Sequence, residues 1–377
     1  MGKVRQACVE KPDSGQIGRF HLEESFAAQM SAYHEASKHH YRTYAPGPGY
    51  LDWATQPDPF RRYAGAQVIP LARPAPDDDL PYEAGFMPGQ APVALLDAAS
   101  VSRLFFDTLA ISAWKEYDGE RWALRINPSS GNLHPTEGYL LAGPIAGLLA
   151  EPALCHYAPL EHGLEVRRDL PAELWQEVVG QLPPGAFLIG LTSIYWRESW
   201  KYGERAFRYC MHDVGHAIAA VAIAAAVLGW EARLLESVAD RELAILLGVH
   251  DQAGSEAEHP DCLLALYPPA RSSGFSRSGS EATEVATTNV ADFRLTPALL
   301  DALASIPPAG PTPSAPNTTT GQSSTPSPKP PHVTPRHPPP TGTPFRLRIP
   351  HSAFLIPHFP PPARSSANAA ARWRWTA

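Results

Sequence analysis

No acidic residue follows Asp301, although Lys329, Arg336, Arg346, Arg348, Arg364, Arg372 and Arg374 do. The formal charge of −7 therefore divides into about −14 for residues 1–301 and about +7 for the remainder. An acidic body disfavours nonspecific binding to nucleic acid. Cysteine is scarce too: Cys8, Cys155, Cys210 and Cys262 share no ligand-like spacing. With no signal peptide at the start, reduced thiols in a cytoplasmic protein are expected. No run reaches the ~20 strongly apolar residues of a membrane span. The longest, Val214 to Trp230, is rich in alanine, is interrupted by His216 and reads as a buried helix. Gly-x-Gly-x-x-Gly, the P-loop, His-Glu-x-x-His and Gly-x-Ser-x-Gly are all missing. Their absence argues against a Rossmann dinucleotide site, a P-loop nucleotide site, a zincin and the usual serine-hydrolase elbow. No period marks a collagen, coiled coil or solenoid.

What is abundant is proline, 42 residues in 377, and it is unevenly placed: nineteen lie between Pro307 and Pro362. The segment from Ile306 cannot bury enough apolar surface to offset its ordering entropy. Residues 269–377 are therefore expected to be a disordered Pro/Ser/Thr-rich tail, and 1–22 a disordered N-terminus. Such an abrupt change in composition fits either a native tail or an altered reading frame. Apolar residues make up 44% of the chain, enough for a sizeable core elsewhere. Residues 23–90 hold a helical pattern over Glu23–His40 and then an arm dense in proline and in Tyr41, Tyr44, Tyr50, Trp53, Phe60 and Tyr63. Aromatics at that density are rarely left in water, so the arm is expected to wrap a body.

That body spans residues 91–268. Helices are expected over Ala94–Phe105, Thr108–Lys115, Pro171–Leu182, Trp196–Tyr202, Ala206–Leu228 and Asp240–Leu247. Strands are expected over Trp122–Asn127, Glu137–Ala142, Leu154–Tyr157, Leu164–Arg167, Ala186–Tyr195, Leu234–Val238 and Cys262–Tyr267, with Glu161-His162-Gly163 as a hairpin turn. Alternating strands and helices in this number describe one α+β domain.

Four segments could carry chemistry. Residues 125–135 read Arg-Ile-Asn-Pro-Ser-Ser-Gly-Asn-Leu-His-Pro. There a strand delivers the Ser129 and Ser130 hydroxyls, Gly131 and the Asn132 amide between prolines. Gly131 permits close approach of a flat ligand, Arg125 offers a bidentate anion contact, and Asn132 can serve either edge of a heteroaromatic ring. A turn whose Ser and Asn merely cap a helix satisfies the same pattern. Residues 195–209, with three arginines, Lys201 and six aromatics after a buried strand, suit an anionic planar ligand or a helix surface of ion pairs. Asp213-Val214-Gly215-His216-Ala217 opens an Ala-rich helix, whose small residues suit close packing in a core. His34 and His39, five apart, do not share a helix face; Glu35 and His39 do, but two ligands make a weak site, and no metal is expected.

In order, the segments 125–135, Trp-Lys-Tyr-Gly-Glu-Arg-Ala-Phe-Arg-Tyr at 200–209, Asp-Val-Gly-His-Ala at 213–217 and the helix ending Leu228-Gly229-Trp230 resemble the nitroreductase superfamily, in particular its SagB-type dehydrogenase branch. The resemblance covers roughly residues 30–268. It implies a nitroreductase-like FMN-binding α+β fold, with a central, mostly antiparallel sheet flanked by helices. It also implies an FMN-dependent oxidoreductase that moves hydride between flavin and a small-molecule or peptide substrate, with NAD(P)H as a candidate electron partner. A homodimer with flavin at its interface belongs to the same expectation. By the family's pattern Pro128, Ser129, Ser130 and Asn132 lie against the flavin. Lys201 and Tyr202 look like the Lys-Tyr pair that assists proton abstraction in relatives that oxidise azolines, the lysine's pKa being lowered by burial or by cations such as Arg197 and Arg205. The early Arg-x-Ser-x-Arg-like phosphate motif is not reproduced; Arg61-Arg62 and Arg103 are the nearest arginines. Longer proteins of this kind carry a second copy of the domain, which makes a single-copy chain either reliant on a partner copy, a non-catalytic binder, or a truncated product.

Overall fold

The computed structural model describes residues 27–75, 87, 90–269 and 290–311. It divides into two compact units, one of Gly47–Arg348 and one of Met1–Pro46 with Ile349–Ala377. In the second of these, described residues 27–37 form helix α1, which ends three residues before the expected His40. Lys38 pairs with Glu35 at 2.6 Å, and the His39 ring accepts the Ala45 N–H and meets Tyr44 edge-on.

In the larger unit, seven strands form one sheet in the order β1-β6-β5-β4-β7-β9-β8, and every pairing is antiparallel. The strands are β1 (Gln67–Pro70), β4 (Thr136–Ala142), β5 (Ala153–Ala158), β6 (Gly163–Asp169), β7 (Phe187–Ser193), β8 (Glu231–Leu234) and β9 (His259–Tyr267). A separate ribbon pairs β2 (Ile111–Tyr117) with β3 (Glu120–Arg125). The central strands are buried on both faces because alternate residues enter two different cores. On β4, Leu140 and Ala142 join the cluster under α2 (Ala98–Phe106) and α5 (Ala206–Val227). Tyr139 and Leu141 join the cluster under α3 (Ala172–Val179), α6 (Asp240–Leu246) and α7 (Pro297–Ala304). Helices on both faces of an antiparallel sheet make the nitroreductase-like α+β arrangement that the motifs imply.

Four expectations are corrected. Residues 111–117 are a strand, not the end of a helix: Ile111, Trp114 and Tyr117 favour extended backbone, and Asp118-Gly119, both at positive φ, close the hairpin to β3. The body reaches back to β1, which adds an edge to the sheet from within the expected arm. The arm buries Tyr63 and half-buries Phe60, but leaves Tyr41, Tyr44, Tyr50 and Trp53 exposed. The expected tail contains α7, whose Leu299 and Leu303, with Phe293 and Leu295, complete the second core. Thr296 caps it by accepting the Leu299 N–H. The expectation of a disordered N-terminus, and of disorder over 270–289 and 312–377, lies outside the described residues.

The helical run Tyr195–Val227 is, by length and composition, long and apolar enough to cross a membrane. It is broken at Gly203, whose φ of 57° and ψ of −132° ends α4 (Tyr195–Tyr202), and it holds Arg197, Glu198 and Asp213 buried. On one side of α5, Val214, Ala217 and Val221 pack into the first core; on the other, Gly215, His216, Ala219, Ala222 and Ile223 are exposed. Of the small residues expected to pack in the core, Gly215 and Ala219 are thus open to solvent.

Candidate active site

β3 runs into the turn Pro128–Asn132, β7 runs into α4, and α4 leads into α5; the three meet at the turn. The backbone there is held in an uncommon shape. Gly131, Asn132 and His134 all have positive φ (65°, 62° and 51°), a cluster found where surrounding contacts over-determine the chain. The contacts are visible. Ser129 Oγ accepts the His134 N–H at 2.8 Å, and Asn132 Nδ2 donates to the Ala123 carbonyl on β3 at 2.8 Å. The Arg197 guanidinium donates to the His134 carbonyl at 2.6 Å.

α4 lays two residues across this turn. Lys201 Nζ lies 3.5 Å from the Gly131 carbonyl, and a Cβ on residue 131 would meet the Tyr202 hydroxyl and stand 3.1 Å from Lys201 Nζ. From beneath come two carboxylates. Asp213 on α5 accepts the Ser130 N–H (3.1 and 3.2 Å to its two oxygens) and the Ser130 hydroxyl at 3.3 Å. Glu198 on α4, fully buried, takes the Ser129 hydroxyl at 3.5 Å. Burial first, then the neighbouring Asp213, push the Glu198 carboxyl up to about 9. Burial raises Asp213 as well, against the hydrogen bonds from Ser129 and Ser130.

The site therefore gathers Ser129, Ser130, Lys201 and Tyr202. Arg125 and Arg103 are used elsewhere. Arg125 is buried and donates to the Pro59 carbonyl at 2.5 Å and the Thr136 carbonyl at 3.4 Å, and burial lowers it to about 10. Arg103 pairs with Asp107 one turn along α2 at 2.5 Å. Arg197, expected to help depress a lysine pKa, instead binds Glu137 at 2.5 Å inside the sheet, and Arg205 stacks on and bonds to Tyr209.

A buried polar network under the turn was not anticipated. His156 on β5 is bracketed by Glu165 (2.9 Å) and Glu137 (3.1 Å), and Glu137 in turn holds Arg197. The two carboxylates keep the imidazole pKa raised against the lowering effect of burial, and Arg197 with His156 holds Glu137 down at about 2. Beside it Glu258 accepts from Tyr139 and Thr192, each at 2.6 Å, and from Tyr63, and it pairs with Arg61 at 3.2 Å. The available signal was a charge set inside otherwise apolar strands, Glu137 in Thr-Glu-Gly-Tyr-Leu-Leu-Ala and His156 in Ala-Leu-Cys-His-Tyr-Ala.

Residues 94–266, which include all of these elements from α2 to β9, match the nitroreductase family. Over that span the chain is similar to a nitroreductase-family domain. That family is one of flavin-dependent oxidoreductases. Among solved structures, a candidate nitroreductase from Anabaena variabilis is 26% identical with a TM-score of 0.50, over 63% of this chain and 45% of that one. The chain thus spans less than half the length of that relative. A candidate nitroreductase from Ralstonia eutropha is 19% identical with a TM-score of 0.40, over 56% of this chain and 94% of that one. A chain of the E. coli microcin synthetase McbBCD complex, with truncated pro-MccB17 bound, is 16% identical with a TM-score of 0.39, over 52% of this chain and 75% of that one. No curated protein matches the sequence significantly.

Proposed function

We propose that the protein is a cytoplasmic, FMN-dependent oxidoreductase of SagB type that moves hydride between flavin and an organic substrate, with azoline-like dehydrogenation in a peptide as the finer assignment. The observation that carries this is the convergence of Lys201 and Tyr202 on Gly131 in a nitroreductase-like domain. The residues present fit a flat polar group. Gly131 brings no side chain, Ser129 and Ser130 bring hydroxyls, and Glu198 Oε2 and Arg205 Nη1 are buried without a partner among the described residues. Pro128, Ser129, Ser130 and Asn132 would hold the cofactor, although the Asn132 amide N–H is already engaged with Ala123.

FMN, when bound, supplies the hydride acceptor or donor. The chain supplies the proton chemistry. Lys201 Nζ and the Tyr202 hydroxyl stand side by side over the turn, the arrangement a general base and its neighbour need next to a carbon losing a proton. Burial raises the Tyr202 phenol, so it stays protonated at neutral pH and can donate. The exposed apolar side of α5 supports a homodimer, which would cover Ala219, Ala222 and Ile223. The free thiols of buried Cys155 and Cys210 and half-buried Cys262, all raised by burial, suit a reducing compartment.

The test is the absorbance spectrum of the purified chain, followed by identification of the chromophore released on denaturation. A flavin band bleached by substrate or by NAD(P)H supports the enzyme. A flavin band that no reductant or substrate changes would indicate a binding protein instead, and a chain that stays colourless after FMN reconstitution rules the assignment out.

A further inference from the structure

We propose that Glu198 is a carboxylic acid kept neutral beside the Asp213 carboxylate, under the turn that Lys201 and Tyr202 cover. The pair is independent of the flavin assignment.

The two carboxyl groups reach the same two-residue stretch from different helices, but their surroundings differ. Asp213 receives three hydrogen-bond contacts from Ser130, enough to satisfy a charged acceptor. Glu198 receives one long contact, from the Ser129 hydroxyl, whose single proton Asp213 also attracts. Its other oxygen, Oε2, is buried and has no partner among the described residues. A buried carboxylate with one poor donor is costly, and two carboxylates this near cannot both ionise cheaply. The proton therefore belongs on Glu198 and the charge on Asp213, which agrees with Glu198 being the group raised to about 9.

The groups facing Glu198 are Asp213 and Cys210 on α5 and Lys201 and Tyr202 on α4. Lys201 is the one cation among them, three residues along the same helix and so on the same face.

The experiment is an infrared titration of the full chain, labelled with ¹³C-carboxyl glutamate, compared with Glu198→Gln and Asp213→Asn. A protonated-carboxyl band present at pH 7 in the parent and missing in Glu198→Gln is the expected result. In Asp213→Asn the same band should titrate at lower pH, because the repelling charge has gone. Absence of any such band at pH 7, or an unchanged midpoint in Asp213→Asn, overturns the proposal. Should Glu198→Gln fail to fold, the parent titration against Asp213→Asn decides alone. None of these arms uses flavin, so failure to bind FMN would defeat the functional assignment without touching this one.

Discussion

The Tyr202 hydroxyl lies where a side chain on residue 131 would begin. Tyr202 is the last residue of α4 and Gly131 the centre of the turn after β3, so their fit ties the helix to the turn across some seventy residues of chain. Gly203 makes the approach possible. Its positive φ stops α4 at that point and lets α5 set off in a new direction, carrying Asp213 under Ser130.

Gly131→Ala should damage both ends of this contact. A β-carbon would collide with Tyr202, and an L-residue at this φ costs about 1–2 kcal/mol. We expect a lower midpoint in thermal or denaturant unfolding and weakened FMN retention. A variant with unchanged stability and unchanged flavin content would show that Tyr202 does not rest on residue 131.

Lys201→Ala and Tyr202→Phe should leave flavin content nearly unaltered while slowing substrate-dependent flavin reduction by about 10²–10⁴-fold, the usual contribution of general acid–base assistance. Rapid-mixing absorbance measures the rate. If both variants reduce at the parental rate, the two side chains are only a lid on the turn.

Arg197→Met should be strongly destabilising, by about 3–5 kcal/mol, because it leaves Glu137 charged and buried beside His156 and frees the His134 carbonyl. Replacing Glu137 and Arg197 together should cost less than the sum of the single changes. The coupling in a double-mutant cycle of unfolding free energies checks this, and simple additivity would mean the pair is not coupled.

The carboxylates impose opposite pH slopes. Glu198 binds its proton more tightly folded (about 9) than unfolded (4.5), so stability falls as pH rises through that window. Glu198→Gln should remove this loss and gain on the parent by a few kcal/mol near pH 8, with little difference at pH 4. Glu137, held at about 2, works the other way: its contribution is complete above about pH 4.5 and is lost as pH falls toward 2. Unfolding midpoints of parent and Glu198→Gln across this range test both slopes, and parallel curves would mean Glu198 is ionised in the fold.

If the exposed side of α5 is a subunit contact, light scattering should report about twice 40.9 kDa. Ala219→Arg should shift that mass toward the monomer without unfolding the chain. A monomeric parent that keeps stoichiometric FMN would exclude the shared-site arrangement.

Local pattern alone determined much of the domain. The apolar run at 187–193, the hairpin around Glu161–Gly163 and the long Ala-rich helix closed by Gly229 each bury residues chosen at a single period, and all appear where that period places them. The turn 128–132 and the pair Lys201-Tyr202 were legible as well, because short runs of serine, glycine, asparagine and cationic or aromatic residues have few purely packing uses. Three things were decided only in three dimensions. Ile111–Tyr117 became a strand because β3 was there to pair with it along its whole length, out to Ile111 against Arg125. α7 and β1 joined the body because the second core and the edge of β6 still had apolar surface and backbone groups to cover. The partners of the charged groups were hidden most completely. Glu137, His156, Glu165 and Arg197 come from three strands and a helix, and Glu198 meets Asp213 only because Gly203 turns the chain between them. A charge in an apolar strand announces that a partner must exist, since burial without one is too costly, but only the packing of the sheet says which residue it is.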